Sequence, residues 1–325
     1  MIQCQKYDPR NKRKWDQLVT CAKNSSFLFY RDFMEYHADR FEDFSIVVWD
    51  DLELIALMPG NVTKTTVHSH QGLTYGGIVL KEDITFRAVL EIFTKVLEFL
   101  NQNGLKYLDL KPIPRIYNSI PSDELDWALS ICRAKLYRRD STIAINNSAR
   151  MPYQKRRIRS INKCRTLNHD ILNDEGSSGF IGFWEKVLIP NLKNKFKIDP
   201  VHSSDEIIKL ATLFPDNIKQ YNIYHSNEIM AGVTLFLNKS IVHAQYIAGT
   251  MAGKRNGSLD YLIDHLVSEF CSSHAWFDFG TCNEQQGTVI NHGLLDWKEG
   301  FGARAITQDY YILETESYKL LHDKF

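Results

Sequence analysis

The chain repeats itself, and that constrains its fold more than any other feature. In the first half FSIVVWD reads as a strand, Asp50-Asp51 as a turn and LELIALMPG as the hairpin partner. VHSHQGLTYGGIVL adds extended chain. FRAVLEIFTKVLEFLNQNG then carries apolar residues at helical spacing with Asn-Gly as a stop, and KYLDLKPIP is a strand ended by prolines. The second half keeps the order: IKQYNIYH, a Ser226-Asn227 turn, EIMAGVTLFL, the strand SIVHAQYIAG, the amphipathic helix NGSLDYLIDHLVSEFCSS and the strand AWFDFGTC. Asp109 and Asp278 fall at equivalent positions. Two copies of hairpin, strand, helix and strand predict an α/β (α+β) chain of two similar lobes, each a mixed, mostly antiparallel sheet flanked by helices.

A different segment separates the copies. MPYQKRRIRSINKCRTLNHD has no acid between Arg150 and Arg165. A helix is expected soon after Pro152, because proline suits a first turn. Lys155, Arg159 and Lys163 recur every four residues and so share a helical face. NDEGSSG reads as a loop, and FIGFWEKVLIPNLKNKF as a helix interrupted by Pro190. The expected division is a first lobe over 1–145, a basic helical linker over 146–200 and a second lobe over 201–325.

Composition narrows the function. Lys plus Arg equals Asp plus Glu, 39 each in 325 residues, so no global field draws DNA or membrane and any binding charge is local. Six scattered cysteines form no C-x-x-C pair, which argues against zinc and redox motifs and for packed, reduced thiols. No metal is expected. No apolar run reaches about 18 residues, so no membrane span is expected. The polar start MIQCQKYDPRNKRKWDQ lacks the apolar region of a signal peptide, and a cytoplasmic location follows as an expectation.

Tandem lobes joined by a basic helical segment resemble the FemAB-like branch of the GNAT acyltransferase superfamily. The resemblance covers nearly the whole chain. It is carried by Tyr75-Gly76-Gly77, YQKRRIRSINKC, IMAGVTLF, HAQYIAG and, most specifically, DFGTCNEQQGTVINHGLLDWKEGFGAR. It implies two tandem GNAT-like lobes and an acyltransferase. Some members of that branch add amino acids from aminoacyl-tRNA to peptidoglycan precursors. Others resemble coenzyme-A-dependent acyltransferases of surface polysaccharide synthesis. This chain lacks the long helical arm that many tRNA-using members insert in the second lobe, which favours acetyl-CoA or another acyl-CoA as co-substrate.

Acyl transfer to an amine needs a proton acceptor and donors for the developing oxyanion. A coenzyme A pyrophosphate suits a helix N-terminus. Gly253, Lys254, Arg255, Asn256, Gly257 and Ser258 offer glycines and two cations before a helix expected to start near Ser258, as a loose version of the family's R/Q-x-x-G-x-G/A signature; a solvated turn capped by Ser258 is the plainer reading. Glu284, Asp278 and His243 are the candidate proton acceptors. Strict alternation puts His243 with Gln245 on one strand face and Tyr246 on the other. Asn291 and Lys298 are candidates for holding substrate or donating to the oxyanion, against capping and surface-pair roles. Tyr153, Arg156, Arg157 and Arg159 suit a phosphorylated acceptor, against a solvated basic face. Tyr75 and Gly76, with Gly77, suit a close approach of backbone to ligand, against a plain turn.

The reaction expected is transfer of an acyl group from coenzyme A to the amine of a nucleotide-linked or lipid-linked amino sugar. Two alternatives remain: an aminoacyl-tRNA-dependent ligase acting on a peptidoglycan precursor, and a nucleotide-sugar binding module without chemistry.

Overall fold

The computed structural model describes all residues except Glu175, Asp323 and Phe325, and for Phe196 the backbone only. The chain forms two compact units. The first comprises Met1–Asp140, Gln286–Thr288 and Thr307–Phe325; the second comprises Ser141–Gln285 and Val289–Ile306. These bounds differ from the expected three-part division. The basic segment is no separate linker, because its helix buries Ile161 and Cys164 in the second unit's core. The last residues return to the first unit, where their strand pairs with Tyr107–Leu110.

The first unit contains β1 (Ile2–Lys6), α1 (Lys12–Cys21), α2 (Arg31–Met34), β2 (Ile46–Asp50), β3 (Glu53–Met58), β4 (Asn61–Thr63), β5 (Thr66–His68), β6 (Val79–Leu80), α3 (Phe86–Gln102), β7 (Tyr107–Leu110) and α4 (Glu124–Ile131). Strands β1, β2, β3 and β6 form an antiparallel sheet in that order. Elsewhere in the unit β4 and β5 make a hairpin and β5 lies parallel to β7. The hairpin between β2 and β3 turns at Asp51, which takes a positive φ of 50°. Helix α3 buries Val89, Ile92, Phe93, Val96, Leu97 and Leu100, a single helical stripe, against Ile46, Val48, Met58 and Leu108. Each such side chain contributes about 1.5–3 kcal/mol of burial free energy. Only Val79–Leu80 of the expected extended stretch VHSHQGLTYGGIVL becomes a regular strand after His68.

Strand β8 (Lys135–Asn146) starts in the first unit and ends in the second. The second unit continues with α5 (Lys155–Arg165), β9 (Asp170–Asn173), α6 (Ser177–Phe183), a π turn over Trp184–Leu188, α7 (Ile189–Phe196), α8 (Ser204–Leu213), β10 (Ile218–His225), β11 (Glu228–Leu237) and β12 (Ile241–Gly249). Then come α9 (Met251–Asn256), α10 (Ser258–Phe270), β13 (Trp276–Thr281), β14 (Asn283–Glu284), β15 (Val289–Ile290), α11 (His292–Glu299) and β16 (Arg304–Glu314). Strands β9, β10, β11 and β12 are antiparallel in that order, β12 and β13 are parallel, and residues 142–146 of β8 close the far side of β13. Helix α10 packs Leu262, Ile263, Leu266 and Val267 on one face of this sheet.

Local chemistry explains the details. Ser226 and Asn227 both take positive φ, 50° and 64°, the pairing that a tight two-residue hairpin requires. Pro190 has no N–H to continue the α ladder, and the helix widens into a π turn just before it rather than stopping. Of the expected loop NDEGSSG, Glu175 lies outside the described residues, and the remainder enters α6. The expected loop before α10 is mostly helical: Thr250 caps α9 through the Gly253 N–H, and Gly257 (φ 88°) joins α9 to α10.

Candidate functional site

The parallel pairing of β12 with β13 lasts only three residues. Ile241, Val242 and His243 face Trp276, Phe277 and Asp278, and then the strands part. The β13 pairing of β12 ends at His243, whereas its other edge stays paired to β11 as far as Gly249. A cavity of about 560 Å³ opens in this gap. It is lined by Ala244–Ala248 of β12, Phe279 of β13, Leu188 and Leu192 before and in α7, Leu259 of α10, and Trp297 and Lys298 of α11.

Strand β12 carries a bulge there. Thr234 faces Tyr246 and Leu235 faces Ala244, so Gln245 is the extra residue. His243 pairs with Phe236 and Tyr246 with Thr234, two residues apart on β11, so His243 and Tyr246 share a face. This corrects the strict alternation expected from sequence. Tyr246 is buried, packs edge-on to Trp184 and bonds His202 Nδ1 at 2.6 Å.

Asp278 and His243 come together. Nδ1 of His243 lies 2.8 Å from Asp278 Oδ2, and Asp278 also accepts from Thr142 Oγ1 and the Gly280 N–H. Burial alone would push this carboxyl up. The charge and hydrogen bond of His243, with those from Thr142 and Gly280, outweigh it and hold Asp278 below the usual carboxylate range. Asp278 is only 2% exposed, and both its carboxylate oxygens are engaged, one of them by His243. His243 lies one residue before the cavity-lining Ala244.

Lys298 lines the cavity and is buried. Its Nζ donates to the Gly280 and Thr281 carbonyls, both at 2.8 Å. Burial lowers its pKa to about 8, with the Asp278 charge opposing that shift. The ammonium has three donors and these carbonyls take two. The alternative placing it in a surface pair with Glu299 does not hold.

Further cations line the cavity. Lys254 of α9 and Lys195 of α7 both line it, and Lys254 bonds Asn191 Oδ1 at 2.6 Å. Partial burial and the charge of Lys195 lower the Lys254 pKa. Two cations that disfavour each other across a rim are relieved by an anion. Arg157 of α5 also lines the cavity, paired to Asp260 at 2.6 Å, while Trp297 Nε1 holds the other Asp260 oxygen at 2.8 Å.

The remaining candidates of the glycine-and-cation segment are framework. Gly253 and Gly257 line the cavity, but a Cβ at either would run into backbone, at the Met230 carbonyl and the Ser160 carbonyl respectively. Asn256 Oδ1 accepts from the Ser258 N–H and hydroxyl, and Arg255 points to solvent while its carbonyl accepts from Lys163. The segment is therefore a helix junction, not an open phosphate loop, and Lys254 alone of its side chains reaches the cavity.

Other candidates lie elsewhere. Glu284 is exposed on the small β14–β15 hairpin and accepts from Asn291 Nδ2 at 2.7 Å. Asn291 caps α11 through the Leu294 N–H. Neither lines the cavity. Tyr153 packs edge-on to Phe301 at 5.4 Å, Arg156 bonds Gln154 and the Asp296 carbonyl, and Arg159 is exposed. In the first unit Tyr75 is buried with its hydroxyl on Ser26 Oγ at 2.9 Å, a packing role. Gly76 and Gly77 line a recess of about 70 Å³ with Pro112 and Asn118, and a Cβ at Gly76 would meet the Ser69 carbonyl.

Sequence reasoning missed Thr142, His202, Lys195, Asn191, Asp260 and Trp297 as participants. Thr142 sits in a strand left unassigned, and Asp260 reads as an ordinary first-turn acid of a helix. Pro190, which interrupts the helix bearing Asn191 and Lys195, was the one usable signal. Among the described residues no cluster of metal-ligating side chains occurs.

No family model and no curated protein matches the sequence. Solved structures do match the fold. FemX superposes with a TM-score of 0.67 at 10% identity, covering 98% of this chain and 99% of its own. The C-terminal domain (DUF2156) of a putative lysylphosphatidylglycerol synthetase from Agrobacterium fabrum gives 0.59 at 11% identity, over 97% and 95%. A tandem GNAT protein from the clavulanic acid biosynthesis pathway gives 0.53 at 8%, over 97% and 99%. The chain has the tandem GNAT fold, two α/β units in one polypeptide.

Proposed function

We propose that the protein is an N-acyltransferase that moves an acyl group from coenzyme A to the amine of an activated amino sugar. The observation that carries this reading is the gap where β12 and β13 part, which leaves an edge of β12 facing a cavity lined by cations and a buried lysine. A pantetheine arm carries amides that pair with such an edge as an added strand would. Lys254 and Lys195 supply positive charge for its phosphates.

The chemistry follows from the residues around the gap. The third Lys298 donor stabilises the thioester oxygen as it becomes an oxyanion. The neutral amine attacks, the C–N bond forms, the C–S bond breaks and the thiolate leaves. The amine's proton passes to His243, held by Asp278 with Nδ1 occupied so that Nε2 accepts. Glu284, exposed and tied to Asn291, is set aside as the base.

The FemAB-like resemblance in the sequence keeps open a second donor, an aminoacyl-tRNA, whose acyl end needs the same oxyanion donors. Thermal-shift titration separates the two, since a ligand that binds the native state raises the melting temperature. Stabilisation by acetyl-CoA supports the first reading. No response to any acyl-CoA, with acyl transfer from charged tRNA that RNase abolishes, replaces it with the second.

A further inference from the structure

The cations that α5 turns away from the cavity have no assigned task. Arg157 and Arg165 pair with Asp260 and Asp264. Lys155, Arg156, Arg159 and Lys163 are exposed, as is Arg255 on neighbouring α9, and among the described residues none of the five forms an ion pair. No acid occurs from Arg150 to His169 or from Thr250 to Leu259. The chain as a whole is neutral, so this is a local field built on one face.

Apolar side chains stand among these charges. Ile158 is 44% exposed on α5 and Met251 is 67% exposed at the start of α9, whose Arg255 carbonyl receives Lys163 Nζ. Met151, just before α5, is 48% exposed. By helical spacing Lys155, Arg159 and Lys163 form the outward stripe and Ile158 lies on its flank. Cations interspersed with protruding aliphatic groups suit a surface that offers both anionic headgroups and acyl chains. An RNA partner wants exposed aromatic rings for base stacking. Tyr153, the aromatic residue of this segment, instead packs inward on Phe301.

We propose that the outer face of α5 with α9 docks the protein on an anionic phospholipid surface. Arg157 and Ser160, on the inner side of the same helix, line the cavity, so docking would fix the cavity's orientation to the bilayer. The inference goes beyond the acyl-transfer reading and does not depend on the donor.

The test is sedimentation of the full chain with vesicles of phosphatidylcholine alone and of equimolar phosphatidylcholine and phosphatidylglycerol, with no acyl donor present. Binding to the anionic vesicles only is expected. Replacing Lys155 and Arg159 by Gln should weaken it about five-fold per cation. Met251→Ser should weaken the binding that survives raised salt, where charge is screened. Thermal melts of each variant show that the fold is kept. No binding to anionic vesicles, or unchanged binding by the folded double variant, overturns the proposal. So does binding of bulk tRNA through these same residues with none to vesicles.

Discussion

His68 stands to Asp109 as His243 stands to Asp278. In each unit the acid lies directly across a parallel strand pair from the histidine, with Nδ1 2.8 Å from Oδ2. A hydroxyl from β8 completes each set: Tyr137 on Asp109 Oδ1 at 2.8 Å, Thr142 on Asp278 Oδ1. The repetition means that the pair first serves to clasp two parallel strands. In the first unit the chain beyond the clasp stays closed, with the Ser69 N–H on the Asp109 carbonyl and the Gly76 N–H on the Lys111 carbonyl. In the second unit the strands open into the cavity.

Asp109→Asn and Asp278→Asn should therefore both destabilise the fold, the second more. Breaking a buried, fully bonded pair costs about 3–5 kcal/mol, and the more exposed Asp109 should cost nearer 1 kcal/mol. Only the Asp278 change should lower turnover of the folded protein. Denaturant melts beside single-turnover rates decide this; an equal loss of rate from Asp109→Asn would contradict it. The Asp278 carboxyl lies below the usual range in the fold. Its contribution is thus complete above the unfolded carboxyl pKa near 4 and is lost as pH falls through the lower folded value.

Under the acyl-transfer reading, Lys298 should set the alkaline limit. Burial brings it to about 8, so the cationic donor is present below that pH and disappears above it. The acyl-transfer step should fall as pH rises through about 8. Lys298→Met should cost on the order of 100-fold or more in rate, the usual cost of removing an oxyanion donor. A rate that keeps rising above pH 8 for the native enzyme would remove Lys298 from this role.

His70 gives the first unit an acid sensitivity. It is buried beside His37 and Phe41, with ring centroids 5.3 and 5.4 Å away. Burial, with the neighbouring His37, lowers its pKa to about 3. The unfolded chain takes up the proton near 6.5, so between about 6.5 and 3 it binds more protons than the folded form and stability falls as pH drops. His70→Asn, which tolerates the positive φ of 70°, should flatten stability against pH across that window. Melting temperatures across the range read this directly, and an unchanged slope would refute it.

Gly257 is a backbone requirement. It takes φ 88° between α9 and α10, and a Cβ would strike the Ser160 carbonyl on α5. Gly257→Ala should cost more than the 1–3 kcal/mol of backbone strain alone and weaken donor binding, since both neighbouring helices line the cavity. A melt unchanged within about 0.5 kcal/mol would show that the junction relaxes freely.

Much of the fold was legible because periodicity and turn chemistry are local. The α3 and α10 stripes, the Ser226-Asn227 hairpin and the individual strands β12 and β13 all follow from residues close in sequence. Strands β8 and β16 were not assigned. In β8 the outer half, LYRRD, is charged, and its inner half is apolar through partners distant in sequence. Placement around the gap was legible where a charged residue sat in an apolar strand or in the motif-rich C-terminal block, as with Asp278, His243 and Lys298. It was not legible for Lys195, Asn191 or Asp260, whose helices bring them to the cavity. The Gln245 bulge also reversed the expected facing of Tyr246, and no single residue announces a bulge.

The strand that pairs with β7 comes from residues 311–314, although β7 itself ends at residue 110. During synthesis the first unit waits for about two hundred residues before this edge of β7 is covered. The second unit has all its strands beforehand, so the lobe that is made first is the one completed last. A chain cut after residue 306 should expose its defect in the N-terminal half, with β7 bare and prone to pair with another chain.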